Sequence, residues 1–280
     1  GGVGLDHKEK LDLQDMPQFP VIQPMVKKAL ICHNVERVPE FMDIAFRTAS
    51  SGRPGPVYLE FPVDVLNAQV NPSSVKEMQT SVSSHPADPL KAEQMLDMIQ
   101  QAEKPVVIAG TGVWQSGAEQ ELIQFIENTG MPVYTSLSGR GTIPDTHPLC
   151  FEGALAIRPG SGFSAYMQTD LVVLLGTRIC LYYMFGDIFN RQARMIQVDM
   201  APEEIGRNRT VDLPIVSDVG ALLRQCNAII DEKDMKGTLT ARFAPWIDTV
   251  QKAHEQGKAM SANDWQSDKT PIHPLRLARE

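Results

Sequence analysis

Three stretches of the chain set chemically useful groups directly after apolar runs. In Glu103-Lys-Pro-Val-Val-Ile-Ala-Gly-Thr-Gly112, Gly110 and Gly112 would let backbone N–H groups approach a phosphate or a ribose. The third glycine of a dinucleotide fingerprint is missing, since Ser116 and Gly117 follow, so a tight strand-to-helix turn accounts for the spacing equally well. After Leu175, Gly176-Thr-Arg178 offers a guanidinium for a pyrophosphate, and Tyr182-Tyr-Met-Phe-Gly186 beyond it offers an adenine slot. The competing role is an arginine that caps a helix or pairs with an aspartate. After Val198, Asp199 is placed to accept hydrogen bonds from ribose hydroxyls, and Glu203-Glu-Ile-Gly-Arg-Asn208, with Glu204, follows it. Pro202 and Glu203 make a helix N-cap the alternative for Asp199. Asp218 has the same two readings, with capping favoured.

Other chemistries find no foothold. The chain has no G-x-S-x-G, no HExxH and no P-loop. Its six histidines lie scattered in polar stretches, and none pairs with a Cys or Ser nucleophile. Gly186-Asp-Ile-Phe-Asn190 is too short to be a metal motif. Cys32, Cys150, Cys180 and Cys226 are far apart and show no CxxC spacing, so neither a metal cluster nor a disulfide framework is expected and a reducing cytoplasm is the default. A net charge of −8, with no basic run interleaved with aromatics, argues against nucleic acid as a partner. No apolar stretch is long enough to span a bilayer. With 42% hydrophobic residues, a core forms without staples, and 280 residues allow one large domain or two ordinary ones. The glycine-rich start and an apparent helix at the end, from Pro271 onward, read as an incomplete chain.

The elements that must position these groups are legible in outline. Asn34 is an N-cap for a helix with Val38, Phe41, Met42, Ala45 and Ala49 on one face, and Gly52 stops it. Pro54-Gly55 then turns into the strand Val57-Tyr-Leu-Glu-Phe61. Residues 67–89 are polar and form a linker, with a boundary near Glu77. Asp88-Pro89 opens a helix that buries Met95, Leu96 and Ile99. Ser116-Gly-Ala-Glu119 has capping-box spacing ahead of a second helix carrying Leu122, Ile123 and Ile126 and ending at Gly130. Strands are expected at 106–109, 132–135, 171–175, 195–199 and 214–216. Ser217 or Asp218 caps a last helix with Val219, Leu222, Leu223, Cys226 and Ile230 inward. Apolar strands alternating with amphipathic helices imply a doubly wound parallel α/β sheet of six strands, covered on both faces. Residues 241–270, with Trp246 and Trp265, read as a second linker.

Taken in order and spacing, several of these stretches resemble the thiamine diphosphate-dependent enzymes of the acetolactate synthase, 2-hydroxyacyl-CoA lyase and benzaldehyde lyase group. They are Leu13-Gln-Asp-Met-Pro-Gln18 with Pro24 and Lys27, Ser51-Gly-Arg-Pro-Gly-Pro-Val-Tyr-Leu-Glu-Phe-Pro-Val-Asp64 and the stretch ending at Gly112. Gly130-Met-Pro-Val-Tyr-Thr135, Gly139-Arg-Gly-Thr-Ile-Pro-Asp-Thr-His-Pro148, Gly176-Thr-Arg178, Met195-Ile-Gln-Val-Asp199 with Glu204-Ile-Gly206, and Pro271-Ile-His-Pro-Leu-Arg276 complete the set.

The resemblance implies the C-terminal part of a pyrimidine-binding domain at 1–77, a central domain at 78–240, and a linker with the start of the diphosphate-binding domain at 241–280. It implies a carboligase or lyase acting on 2-keto acids or 2-hydroxyacyl compounds, working as a homodimer or homotetramer. Thiamine diphosphate and Mg2+ would be its cofactors, with their ligands outside this chain. Gln14 would line the active site of a partner subunit's cofactor, and Lys27 would lie near the substrate channel. Flavin-binding members carry Asp-Asp-Arg after the Gly-x-Arg, where Ile179-Cys-Leu-Tyr182 stands here, and arginine before the proline, where Gln23 stands. FAD, ADP, coenzyme A or an empty central domain therefore all remain open, as does a non-catalytic nucleotide-binding module or relic of such an enzyme.

Overall fold

The computed structural model describes residues 2–78, 85–151 and 161–279. The chain divides into two compact units, Gly1–Ser83 and Ser84–Glu280.

The first unit is built on one parallel strand pair. In chain order it contains α1 (Gln18–Ile22), β1 (Lys28–Ile31), α2 (Val38–Ser50), β2 (Val57–Glu60) and α3 (Val63–Asn67). Lys28 pairs with Val57 and Ile31 with Glu60. Asn34 acts as the sequence suggested: its Oδ1 accepts from the Glu36 N–H at 2.8 Å and sets a short 3-10 turn that leads into α2. The far end of α2 is closed by Lys27, whose Nζ donates to the carbonyls of Ser51 (2.6 Å) and Arg53 (2.9 Å). β1 has no signal of its own in the sequence. Its four residues become a strand through pairing with β2. Both strands are only partly buried, and α2 leaves Phe46 60% exposed.

The second unit is the doubly wound sheet. Its elements are α4 (Pro89–Gln101), β3 (Pro105–Ala109), α5 (Thr111–Gln115), α6 (Glu119–Thr129), β4 (Val133–Thr135), α7 (Ser161–Gln168), β5 (Leu171–Leu175), β6 (Arg194–Asp199), β7 (Leu213–Val216), α8 (Val219–Glu232), α9 (Lys236–Trp265) and α10 (Pro274–Arg279). All pairings are parallel, in the order β4-β3-β5-β6-β7. The sheet therefore has five strands among the described residues, not six, one from each of the five apolar runs. β7 is an edge strand, alternating buried Leu213 and Ile215 with exposed Pro214 and Val216, which is where a proline without an N–H is tolerated.

Strand alternation sends successive side chains to opposite faces. Val107, Ala109, Val173, Leu175, Ile196 and Val198 meet α4, α6 and α8 through residues such as Leu96, Phe125 and Leu222. Val106, Ile108, Val172, Leu174 and Met195 meet Tyr166 of α7, Tyr183, Phe189 and Trp246. Cys226 of α8 lies wholly in the first of these layers, and burial pushes its thiol up to about 12, so it serves as packing rather than as a nucleophile.

Two further expectations are corrected. The capping box at Ser116 does not form: Gly117 (φ +59°) turns the chain so that the Ser116 hydroxyl donates back to the Gly112 carbonyl at 2.7 Å, and Ala118 precedes α6. Residues 241–265 are not a linker but most of helix α9. Phe243 packs in one layer, Trp246 and Val250 in the other, and the Trp246 indole N–H donates to the Pro105 carbonyl at 2.9 Å. Arg242 Nε donates to the carbonyl of Ala102 at 2.7 Å, just past α4.

Candidate ligand crevice at the carboxyl edge of the sheet

The chain leaves β3 for β4 on one side of it and returns to β5 on the other, so the topological switch lies between β3 and β5, where ligands of such sheets bind. The turns that meet there are those of Gly110, Gly112 and Gly176. Gly110 N–H donates to the Leu175 carbonyl (2.8 Å), Gly112 N–H to the Gly176 carbonyl (3.0 Å) and Gly176 N–H to the Val198 carbonyl (2.8 Å). A Cβ on Gly112 would lie 2.6 Å from Gly176 Cα, and one on Gly176, whose φ is +61°, would overlap the Gly112 backbone. These glycines let two turns pack backbone on backbone. The N–H groups of Gly110 and Gly112, offered above for a phosphate, are committed to the neighbouring strand.

Arg178 follows directly. It is exposed and makes no hydrogen bond or ion pair among the described residues, so neither capping nor an aspartate accounts for it there. Thr177 beside it is buried, and so is Tyr183, whose phenol is pushed up by that burial. The aromatic stretch that follows is split by the fold. Tyr183 points into the core, stacked on Phe189 with ring centroids 5.7 Å apart, while Leu181, Tyr182, Met184 and Phe185 stay exposed. Met184 (φ +49°) and Phe185 (φ +53°) are both left-handed, a conformation that costs an L-residue with a side chain roughly 1–2 kcal/mol.

The acidic candidates are each partly occupied. Asp199 is buried as the last residue of β6, and its Oδ1 accepts from the Ala201 N–H at 2.9 Å. Glu204 pairs with Arg207 at 3.0 Å. Asp218 caps α8, accepting from the Ala221 N–H at 2.8 Å, while its own N–H and the Ser217 hydroxyl both donate to the His85 carbonyl. The fold thus brings Gly110, Gly112, Gly176 and Arg178 together at the carboxyl edge of the sheet, with Asp199 at the end of the neighbouring strand and Asp218 farther along the same edge.

Three polar residues passed over above hold this edge together. Gln197, fully buried within β6, accepts from the Gly206 N–H at 2.9 Å and donates to the carbonyls of Thr177 (3.4 Å) and Glu204 (3.3 Å). Asn208 Nδ2 donates to the Ile179 carbonyl at 2.8 Å, and Arg209 donates to a set of four carbonyls between Gly186 and Ala193. The one signal for any of them was an amide in the middle of an apolar strand. Such a group is kept only when its hydrogen bonds are met.

Gln14 and Lys27 lie in the first unit. Gln14 is exposed and left-handed (φ +65°), its carbonyl accepting from the Met16 N–H at 2.8 Å. The Lys27 ammonium is engaged in closing α2, as described above. Nearby, the Tyr58 hydroxyl donates to Glu60 Oε2 at 2.7 Å and to Gln18 Oε1 at 3.3 Å, and burial with that carboxylate pushes the phenol up to about 12. Among the described residues, no three His, Cys, Asp or Glu side chains are grouped to hold a metal ion, and no helix is long and apolar enough to cross a membrane.

Known proteins place this architecture. Residues 92–226 match the family model described as "Thiamine pyrophosphate enzyme, central domain". A probable acetolactate synthase large subunit from Methanococcus aeolicus is 30% identical over 283 residues, covering 95% of this chain and 46% of the relative. A glyoxylate carboligase from Escherichia coli O157:H7 is 31% identical, covering 98% of this chain and 45% of its own length, and a 2-hydroxyacyl-CoA lyase from Oryza sativa subsp. japonica is 27% identical, with 96% and 48% covered. Among solved structures, the benzoylformate decarboxylase from Polynucleobacter necessarius superposes with a TM-score of 0.69 at 25% identity, covering 81% of this chain and 43% of that one. The chain spans a little under half the length of these relatives. Residues 92–226 are thus the central domain of a thiamine pyrophosphate enzyme, and the chain around them is similar to these relatives over nearly its whole length.

Proposed function

We propose that this chain is part of a thiamine diphosphate- and magnesium-dependent carboligase or lyase acting on 2-keto acids or 2-hydroxyacyl compounds. The observation that carries the reading is the match of the central domain, together with relatives named acetolactate synthase, glyoxylate carboligase and 2-hydroxyacyl-CoA lyase. When bound, thiamine diphosphate supplies an electron sink for the carbanion formed at the substrate carbonyl. Its activating glutamate and the metal ligands belong to parts of the protein outside these residues. Gln14 is assigned to the active site around a partner subunit's cofactor and Lys27 to the neighbourhood of the substrate channel, in a homodimer or homotetramer of the cytoplasm.

The central domain contributes binding rather than bond-making. Its crevice is assigned to an adenine nucleotide, with Arg178 on the phosphates and Gly110, Gly112 and Gly176 admitting the ligand to the sheet edge. Asp199, Glu204 and Asp218 are the acidic residues assigned to its ribose side. Ile179-Cys-Leu-Tyr182 in place of Asp-Asp-Arg favours ADP or the coenzyme A tail over FAD.

The test is mass spectrometry of the small molecules released on denaturing the full-length protein, followed by product analysis. Near-stoichiometric thiamine diphosphate supports the class, and its absence after reconstitution with magnesium overturns it. Acetolactate from pyruvate selects the synthase-like activity; cleavage of a 2-hydroxyacyl-CoA selects the lyase.

A further inference from the structure

We propose that Arg209 is a positioning residue for ligand recognition: it holds the segment after Arg178 so that Arg178 and the exposed side chains of Leu181, Tyr182, Met184 and Phe185 meet one nucleotide together. This rests on the nucleotide reading above and adds a residue on which recognition depends without contact with the ligand.

The argument begins with the segment itself. Met184 and Phe185 are consecutive left-handed residues with bulky side chains, a state that nothing in their own chemistry favours. Such a conformation persists only where the surroundings impose it. Inside the segment, the Phe185 N–H donates to the Cys180 carbonyl (3.1 Å) and the Asp187 N–H to that of Met184 (3.0 Å), and both ends are anchored by two consecutive residues from the connection between β6 and β7. Asn208, itself left-handed (φ +71°), grips the start of the segment through the Ile179 carbonyl at 2.8 Å. Arg209 grips its end. Nη1 donates to the carbonyls of Gly186 (2.8 Å) and Phe189 (3.3 Å), and Nη2 to those of Asn190 (2.7 Å) and Ala193 (3.2 Å).

The fit of Arg209 is close. A Cβ on Gly186 would lie 3.1 Å from both Arg209 Cβ and Cδ, and the guanidinium sits 6.0 Å over the Phe189 ring. Burial lowers the affinity of this guanidinium for its proton, and Asp187 and Asp212 work against that. It stays charged, because an arginine is never neutral in a protein. Lysine cannot replace it: one ammonium lacks the planar fork that serves four carbonyls at once. Arg209 thus fixes the backbone from Gly186 to Ala193, as Asn208 fixes Ile179, and between these two anchors stand the exposed side chains that follow Arg178.

Calorimetric titration of ADP into the full-length protein and into Arg178→Ala, Arg209→Ala and Arg209→Lys tests this, each well below its unfolding midpoint. Hydrogen exchange across residues 179–193 is followed in parallel. We expect ADP to bind Arg209→Ala about tenfold more weakly than the unaltered protein, a loss near 1.4 kcal/mol, with Arg209→Lys in between. Exchange should quicken in 179–193 alone, and added guanidinium ion should restore affinity. Unchanged affinity in Arg209→Ala beside a weakened Arg178→Ala overturns the proposal and leaves the nucleotide reading standing. A loss that guanidinium does not restore, with exchange quickened across the whole sheet, marks Arg209 as a stabilising residue only and also overturns it. Should Arg209→Ala fail to fold, unaltered affinity in Arg209→Lys has the same consequence. An unaltered protein that does not bind ADP sinks both readings.

Discussion

Gly176 illustrates how little room the candidate crevice has at the level of single residues. Its φ of +61° and its contact with the Gly112 backbone each forbid a side chain, and neither neighbour is a flexible group that can step aside. Gly176→Ala is therefore expected to destabilise the protein by about 3 kcal/mol, read as a lowered midpoint in denaturant. Gly237 in α9 meets nothing within 4 Å of its missing Cβ, and Gly237→Ala should be neutral or mildly stabilising. Equal effects of the two substitutions would remove the close-packing account of the glycine turns. The glycines, Arg178 and Asp199 were legible in the sequence because each follows an apolar run. Gln197, Asn208 and Arg209 were not: their partners are backbone groups 7 to 29 residues away, and only the fold brings those within reach.

At the scale of elements, β3 and β5 announce themselves as unbroken apolar runs because both of their faces are covered. Helix α9 does not. Pro245 inside it and a polar outer surface hide a stripe of Phe243, Trp246 and Val250 that serves both layers of the sheet. Proline removes one backbone donor and strains the preceding turn, so the helix there depends on tertiary contacts, above all on the buried Trp246 and its bond to Pro105. Trp246→Ala should cost about 3–5 kcal/mol in an equilibrium unfolding measurement, with Trp246→Phe retaining most of the packing and losing the hydrogen bond. Pro245→Ala should leave stability equal or higher. If Trp246→Ala proves neutral, α9 is an appendage after all and the linker reading of 241–270 regains its force. The absent capping box at Ser116 has a similar cause: its spacing was right, but one left-handed glycine assigned the serine to the turn before.

At the scale of the whole molecule, the two units differ in what they bury. The second closes two apolar layers over five strands, so its central amides on β3, β5 and β6 should open only with global unfolding. The first has two partly buried strands beneath a helix with an exposed Phe46, and a two-stranded sheet has little stability of its own. Hydrogen exchange on this 280-residue chain should accordingly separate the units. Amides of β1 and β2 should exchange through a low-energy opening, with a denaturant dependence too shallow for global unfolding, while those of β5 exchange last and with the full dependence. Protection of β1 equal to that of β5 would show the first unit to be as stable as the second, and its partly open strands would then need a different account. The same contrast explains why the second unit was the more legible. A sheet buried on both faces writes its strands into the sequence as continuous apolar runs, whereas β1, four residues long and half covered, becomes a strand only by pairing with β2.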